Sequence, residues 1–150
     1  MQTESGEIGY VFDGYLSKLK PNFELTAAFF DKNFKEVKSK KRKFNDAISD
    51  SRYENKYFYK NGSYIKELGS NYDGHSNYFI PNITLEEAYF LVVKTRPDVL
   101  ELHKSSGDSA TNYSYDVKQL SFVTSLEAIS ITKITPKGLK GIEILIEAWD

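Results

Sequence analysis

The chain has 150 residues, of which 40% are apolar and 15% aromatic, and its formal charge is −1. This length fits one domain, residues 1–150, whose core needs no disulfide or metal. The absence of cysteine excludes thiol catalysis and cysteine-ligated zinc. No apolar run reaches the length of a membrane helix, and the polar first residues do not resemble a signal peptide. We therefore expect a soluble, cytoplasmic protein without membrane contact, with an exported mature form as the alternative.

The N-terminal part of the chain has the composition of strands. Residues 7–16 are rich in aromatic and β-branched types, which favour a strand. Residues 23–48 allow two interpretations. In the first, residues 23–29 and 34–37 are strands of a hairpin around a polar turn. In the second, apolar residues recur at helical spacings of three, four and seven. The turn residues favour the hairpin.

The strongest local signal is the Asn61-Gly62 pair between two aromatic-rich runs. Asn-Gly suits the two positive-φ positions of a type I′ turn, so we predict a hairpin with a two-residue loop and positive φ at both residues. That register places Tyr59 directly opposite Tyr64. It also predicts that Tyr57, Tyr59 and Tyr64 share one face of the hairpin that is not entirely buried.

The second half of the chain supplies a helix and a further hairpin. Composition predicts loops on either side of the central hairpin, at residues 45–54 and 69–81. Thr84 and Glu87 match a capping box, which begins a helix of about residues 84–94 that is apolar on nearly all sides and therefore buried. Two β-branched runs, residues 128–135 and 142–148, predict a C-terminal hairpin.

These elements together indicate the fold class. We predict an α+β fold, a mainly antiparallel β-sheet of six to eight strands built from hairpins, with the one buried helix packed on it.

The two histidines are the candidates for acid–base chemistry. His75 and His103 each lie two residues from a carboxylate that could orient an imidazole, but nothing in the sequence brings the two together. We expect them not to share a site. No metal-binding, phosphate-binding or nucleophile motif is present, so we expect neither a cofactor nor a catalytic function. A His-dependent hydrolase or nuclease is the least favoured alternative.

The basic segment, residues 35–43, is the feature with the clearest electrostatic meaning. It holds six Lys or Arg and one Glu, so the rest of this −1 chain sums to −6. It could meet an acidic protein surface or grip phosphates. It could also be an edge strand or hairpin tip whose lysines prevent pairing with other edges. Nucleic acid is disfavoured, because the pI of the whole chain is only 6.2.

The tyrosine-rich hairpin and the basic segment together suggest a function in binding. We predict a small protein-binding module, for instance a bacterial immunity or inhibitor protein that occludes its partner. Tyrosines offer contact area at a small entropic cost, and lysines steer association. The alternative is a ligand-binding protein or a structural subunit of a phage or secretion apparatus. The predicted partner-binding residues, expected on one exposed side, are Lys40, Lys41, Lys43, Tyr57, Tyr59 and Tyr64.

Overall fold

The computed structural model describes residues 10–12, 15–17, 22–45, 51–70, 73–96, 112–115, 118–123 and 127–149. The α-helices in these segments are α1 (Ala27–Asn33) and α2 (Leu85–Thr95), and Pro136–Gly138 form a 3₁₀ helix. The strands are β1 (Tyr10–Phe12), β2 (Tyr15–Ser17), β3 (Glu36–Asn45), β4 (Ser51–Tyr59), β5 (Tyr64–Gly69), β6 (Asp73–Pro81), β7 (Asn112–Tyr115), β8 (Gln119–Val123), β9 (Glu127–Ile134) and β10 (Gly141–Trp149).

Eight of the strands form one sheet in the order β3-β4-β5-β6-β10-β9-β8-β7, and every pair of neighbours is antiparallel. β1 and β2 pair with each other in a separate two-stranded sheet. The predicted α+β class with a mainly antiparallel sheet is confirmed. No helix in the described segments is long and apolar enough to cross a membrane.

The predicted C-terminal hairpin lies near the middle of the sheet. Ile144 of β10 is directly opposite Ile131 of β9, and both are fully buried. On its other side β10 pairs along its whole length with β6. The period of two in Ile142 and Ile144 therefore corresponds to one buried face of a central strand, as the alternation of side chains requires.

The predicted helix near residues 84–94 is also confirmed. The Thr84 hydroxyl accepts from the backbone N–H of Glu87, whose carboxylate accepts from the backbone N–H of Thr84, so both halves of the capping box are present. Helix α2 buries Ala88, Leu91 and Val92 and packs on β9 and β10. After α2, Arg96 forms an ion pair with Glu127 at the start of β9.

The hairpin favoured for residues 23–48 is wrong. Residues 27–33 are helix α1, and β3 is the only strand in the described part of the segment, residues 23–45, so the helical alternative holds only for the first part. Thr26 caps the helix by accepting from the backbone N–H of Phe29 at 3.1 Å. Phe30 is fully buried, and its ring centroid lies 5.5 Å from that of Tyr59. The phenylalanines fit the strand pattern and the helix pattern equally well, and this packing decides in favour of the helix.

The central hairpin is present, but its predicted two-residue turn is wrong. Phe58 is opposite Tyr64, so the register differs by one residue from the expected pairing of Tyr59 with Tyr64. The loop is closed by hydrogen bonds from Gly62 N–H to the Tyr59 carbonyl and from Tyr59 N–H to the Ser63 carbonyl, both 3.0 Å. Gly62 has a φ of 88°, whereas Asn61 does not have a positive φ.

The side chain of Asn61 explains the longer loop. Its carbonyl oxygen accepts from the backbone N–H of Ser63 at 3.0 Å and from the Ser63 hydroxyl at 2.5 Å. A three-residue loop with glycine in the left-handed region at its last position is the next common hairpin connection after the two-residue turns. Asn61 therefore stabilises the loop through its side chain and does not use a left-handed backbone.

Two segments predicted as loops contain strands. The last residues of the segment 45–54 belong to β4, and most of the segment 69–81 is β6, which pairs with β5 on one side and β10 on the other. The polar residues of β6 have weak strand propensity, but two neighbouring strands satisfy its backbone groups. Tertiary pairing thus overrides the local composition.

The eight-stranded sheet has two different faces, because successive side chains of a strand point to opposite sides. The helix face carries Ile65, Ile131 and Ile144, which belong to the same core as Phe30 and Val92 of the two helices. Neither α-helix lies on the opposite face, which we call the open face, but the 3₁₀ helix Pro136–Gly138 reaches it, since Lys137 lines the groove described below.

Candidate functional site

A row of three lysines crosses the open face. Lys40 of β3 is directly opposite Lys56 of β4, which is directly opposite Lys66 of β5. The next residue in the row is Asn77 of β6. Directly opposed residues of antiparallel strands have Cβ atoms only about 5 Å apart. We call Lys40, Lys56 and Lys66 the lysine ladder.

The rows on either side add charge and apolar surface. One row begins with Lys38 opposite Phe58, and the other with Arg42 opposite Glu54. Together these side chains line a concave part of the open face with a volume of about 760 Å³. Five cations from β3, β4 and β5 line this groove: Lys38, Lys40, Arg42, Lys56 and Lys66.

Two carboxylates, Glu54 and Glu67, and a sixth cation, Lys137, also line the groove. Glu54 accepts from Nζ of Lys56 at 2.5 Å. The hydrogen bond from Lys56, supported by the charges of Lys56, Arg42 and Lys40, holds the pKa of Glu54 below its usual value. Nζ of Lys66 lies 4.4 Å from the centroid of the Tyr64 ring, a cation–π contact that leaves its charge uncompensated. The groove therefore keeps an excess of positive charge.

Apolar side chains accompany the cations. Leu68 is 39% exposed and Val37 is 61% exposed, and both line the groove. The register of β3 against β4 shifts between Glu36 and Lys38, so Val37 is the extra residue of a β-bulge. An occupant of the groove would thus meet apolar surface beside the charges.

The predicted exposed face of three tyrosines does not exist. Tyr59 lies on the helix face, is 3% exposed and donates from its hydroxyl to Oδ1 of Asp31 at 2.7 Å. Tyr57 lies on the same face and is half-buried against the core. The one-residue change of register places Tyr64 on the open face instead, because a slip of one residue moves a side chain to the other side of the sheet.

Tyr64 is held firmly on the open face. Its ring stacks on Phe79 with 5.1 Å between centroids and 22° between the planes. Its hydroxyl donates to the Glu143 carboxylate at 2.8 Å. Burial is the main cause that raises the pKa of the Tyr64 phenol, and the hydrogen bond to this carboxylate raises it further. The pKa of Tyr59 is raised in the same way by burial and by the hydrogen bond to Asp31.

The predicted lysines are exposed but do not share one side. Lys40 points to the open face, whereas Lys41 and Lys43, at alternate positions, lie on the side of the helix face. β3 is an edge strand of the sheet, which is the alternative placement considered for the basic segment. Lys56 and Lys66, which complete the ladder, were not among the predicted residues, because the wrong register pairs Lys56 with Glu67.

His75 lies on the open face of β6, between Leu68 of β5 and Glu147 of β10, and lines the groove. His103 lies outside the described residues, so the prediction that the two histidines do not share a site stays a prediction. Within the described segments, no three His, Asp or Glu side chains are grouped as a metal ion would require. The groove is suited to binding an anionic surface.

Comparison with known proteins gave no matching family model, no similar curated protein and no similar solved structure.

Proposed function

We propose that the chain is a protein-binding module whose open face, centred on the lysine ladder, holds an acidic surface of a partner protein. The ladder is the observation that carries the proposal. Like charges directly opposite each other on adjacent strands destabilise a free sheet. Protection of the sheet edge accounts for the lysines of β3, but Lys56 and Lys66 are on interior strands. An acidic partner surface would neutralise Lys40 and Lys66, whereas Lys56 already pairs with Glu54.

The distribution of charge supports the same partner. The formal charge of residues 35–43 is +5, whereas that of the remaining residues is −6. An approaching acidic surface is therefore attracted to this edge and repelled by the rest of the chain. Such complementarity acts mainly on the rate of association and on the choice of partner. The exposed Val37 and Leu68 add apolar contact area within the same groove.

A module of this kind acts by covering its partner, as an inhibitor or immunity protein does. A structural assembly subunit would use the same face. Nucleic acid is the competing ligand, because the same five cations could hold phosphates. The formal charge of −1 and the pI of 6.2 favour the acidic protein, since nucleic-acid-binding domains are usually basic as a whole.

The probe for this proposal is polyglutamate of about 50 residues, compared with a poly(dT) oligonucleotide of the same length. Binding of the purified chain is measured by fluorescence anisotropy over a series of salt concentrations. We expect polyglutamate to bind with an affinity that falls as salt rises. Replacing Lys40, Lys56 and Lys66 together by Gln should weaken that binding about tenfold.

The matched control replaces three exposed lysines away from the groove, Lys32, Lys133 and Lys140, by Gln. Both variants lose three positive charges, so a difference between them reports position and not net charge. Equal affinity for polyglutamate in the two variants would contradict the proposal. Preferential binding of poly(dT) would also contradict it and would assign the groove to nucleic acid.

A further inference from the structure

We propose that part of the acidic partner binds as an extended strand that adds to the free edge of β3. This inference rests on the proposed function, from which it takes the acidic partner. It adds the mode of contact, in which main-chain hydrogen bonds supply affinity and the side chains of the added strand supply specificity.

The edge itself is long and accessible. β3 runs for ten residues, Glu36–Asn45, which is longer than the usual strand of about five or six. It pairs with β4 on one side, and within the described segments no strand pairs with its other side. The side chains from Glu36 to Lys43 are all exposed. A strand edge of this length offers a row of backbone donors and acceptors to an incoming chain.

The charges of β3 alternate between both faces of the sheet. Lys38, Lys40 and Arg42 project on the open face, and Lys41 and Lys43 project on the other side. An added strand would lie about 4.8 Å from β3, with its own side chains alternating in the same way. Consecutive acidic residues in that strand would therefore meet lysine or arginine on both faces.

The same charges reject a second copy of this edge. Two β3 strands placed side by side would oppose lysine to lysine, and like charges directly across a strand pair are unfavourable. A basic edge thus prevents self-association and still admits an acidic strand, which is selection of one partner by repulsion of another.

The test uses a blocked decaglutamate peptide, with binding measured by fluorescence anisotropy at low salt. Successive backbone N–H groups of a strand point to opposite edges. N-methyl groups on two residues separated by one residue therefore obstruct one edge of the peptide, whereas N-methyl groups on two adjacent residues obstruct both edges. The two peptides carry the same charge and the same number of methyl groups. We expect the adjacent pair to weaken binding at least fivefold more than the separated pair.

Protein variants provide the second readout. Reversing Lys41 and Lys43 to Glu should weaken decaglutamate binding at least fivefold, because an edge strand contacts both faces. Replacing Lys66 by Gln should leave it within twofold, since Lys66 is three strand spacings, about 14 Å, from an added strand.

The outcomes separate this inference from the proposed function. Equal binding of the two methylated peptides, or binding unaffected by Lys41 and Lys43, would overturn strand addition, while ladder-dependent binding of long polyglutamate would still support the acidic partner. If neither the long polymer nor the decapeptide binds, both proposals fail.

Discussion

The hydroxyl of Tyr59 donates a hydrogen bond of 2.7 Å to Oδ1 of Asp31, which joins the central hairpin to helix α1. The ring packs beside Phe30 and Phe34 in the same contact. Replacing Tyr59 by Phe keeps the packing and removes only the hydroxyl. We expect the free energy of unfolding, measured by urea denaturation, to fall by about 1 kcal/mol. Tyr53→Phe, at a tyrosine that is 41% exposed, is the control and should change it by less than about 0.5 kcal/mol.

The ionisation of the same phenol predicts that the stability of the fold depends on pH in the alkaline range. Burial and the hydrogen bond to Asp31 raise the pKa of Tyr59 above its ordinary value of about 10. Folding therefore favours the neutral form. Its contribution to stability is complete below about pH 10 and is lost as pH rises from there through the raised pKa. An absorbance titration should show that Tyr59→Phe removes one phenol from the late-ionising group, and loss of an early-ionising phenol instead would contradict the assignment.

The position of Gly62 predicts that any side chain added there lowers the stability of the fold. Its φ is 88°, and a Cβ built there would lie 2.4 Å from Cδ2 of Leu139. Gly138 has a φ of 82°, with no atom within 4 Å of such a Cβ. Both Gly→Ala substitutions incur the backbone strain of about 1 kcal/mol, but only Gly62→Ala adds the clash. We expect Gly62→Ala to lower the free energy of unfolding more than Gly138→Ala, and Gly62→Val to lower it further. Equal losses would mean that Leu139 moves aside freely.

Much of the fold could be predicted because local chemistry and tertiary packing agree in those elements. The period of two in β10 and the capping box of α2 each specify one structure, and each is found. α1 and β6 could not be predicted, because in these two elements tertiary packing decides the structure and local sequence does not. The phenylalanines around Phe30 fit a strand or a helix equally well until Tyr59 packs against them, and β6 becomes a strand because β5 and β10 pair with it.

The candidate site was predicted only in part, and a single residue of register explains why. A two-residue turn at Asn61-Gly62 pairs Lys56 with Glu67, an ordinary pair of opposite charges. The observed loop pairs Lys56 with Lys66 instead and creates the ladder. The basic segment was therefore visible in the sequence, whereas its continuation across two interior strands depends on a loop whose length is set by the Asn61 side chain.

The pKa of the Glu54 carboxylate should depend on the positive charges that surround it in the groove. Its pKa is lowered chiefly by the hydrogen bond from Lys56. In Lys56→Gln we expect this pKa to rise towards its ordinary value, measured by NMR titration of the Glu54 side chain. In Lys133→Gln, which removes a charge elsewhere, it should stay unchanged. A depressed folded-state pKa contributes stability above the unfolded value, and that contribution is lost as pH falls through the depressed value. An unchanged pKa in Lys56→Gln would contradict the role of Lys56.

The lysine ladder itself predicts a stabilising substitution. Lys66 is opposite Lys56, which already forms an ion pair with Glu54, so Lys66 adds a like charge without a partner carboxylate in its row. Replacing Lys66 by Gln should remove a repulsion of about 0.2–1 kcal/mol at low ionic strength. Loss of the cation–π contact with Tyr64 offsets part of this, so the free energy of unfolding should rise by a smaller net amount. The gain should shrink as salt screens the repulsion. Urea denaturation at about 10 mM and 500 mM NaCl measures both effects.

The same substitution connects stability with binding. Lys66→Gln should weaken the binding of long polyglutamate while it stabilises the free chain, because an interaction that is unfavourable in the free sheet becomes favourable against an acidic surface. Residues that serve binding at the expense of stability commonly show this opposition. Lys133→Gln, which removes an exposed lysine from β9, should change neither quantity appreciably. If the effect of Lys66→Gln on stability does not become less favourable as salt rises, the ladder is not a source of repulsion, and it no longer supports the proposed function.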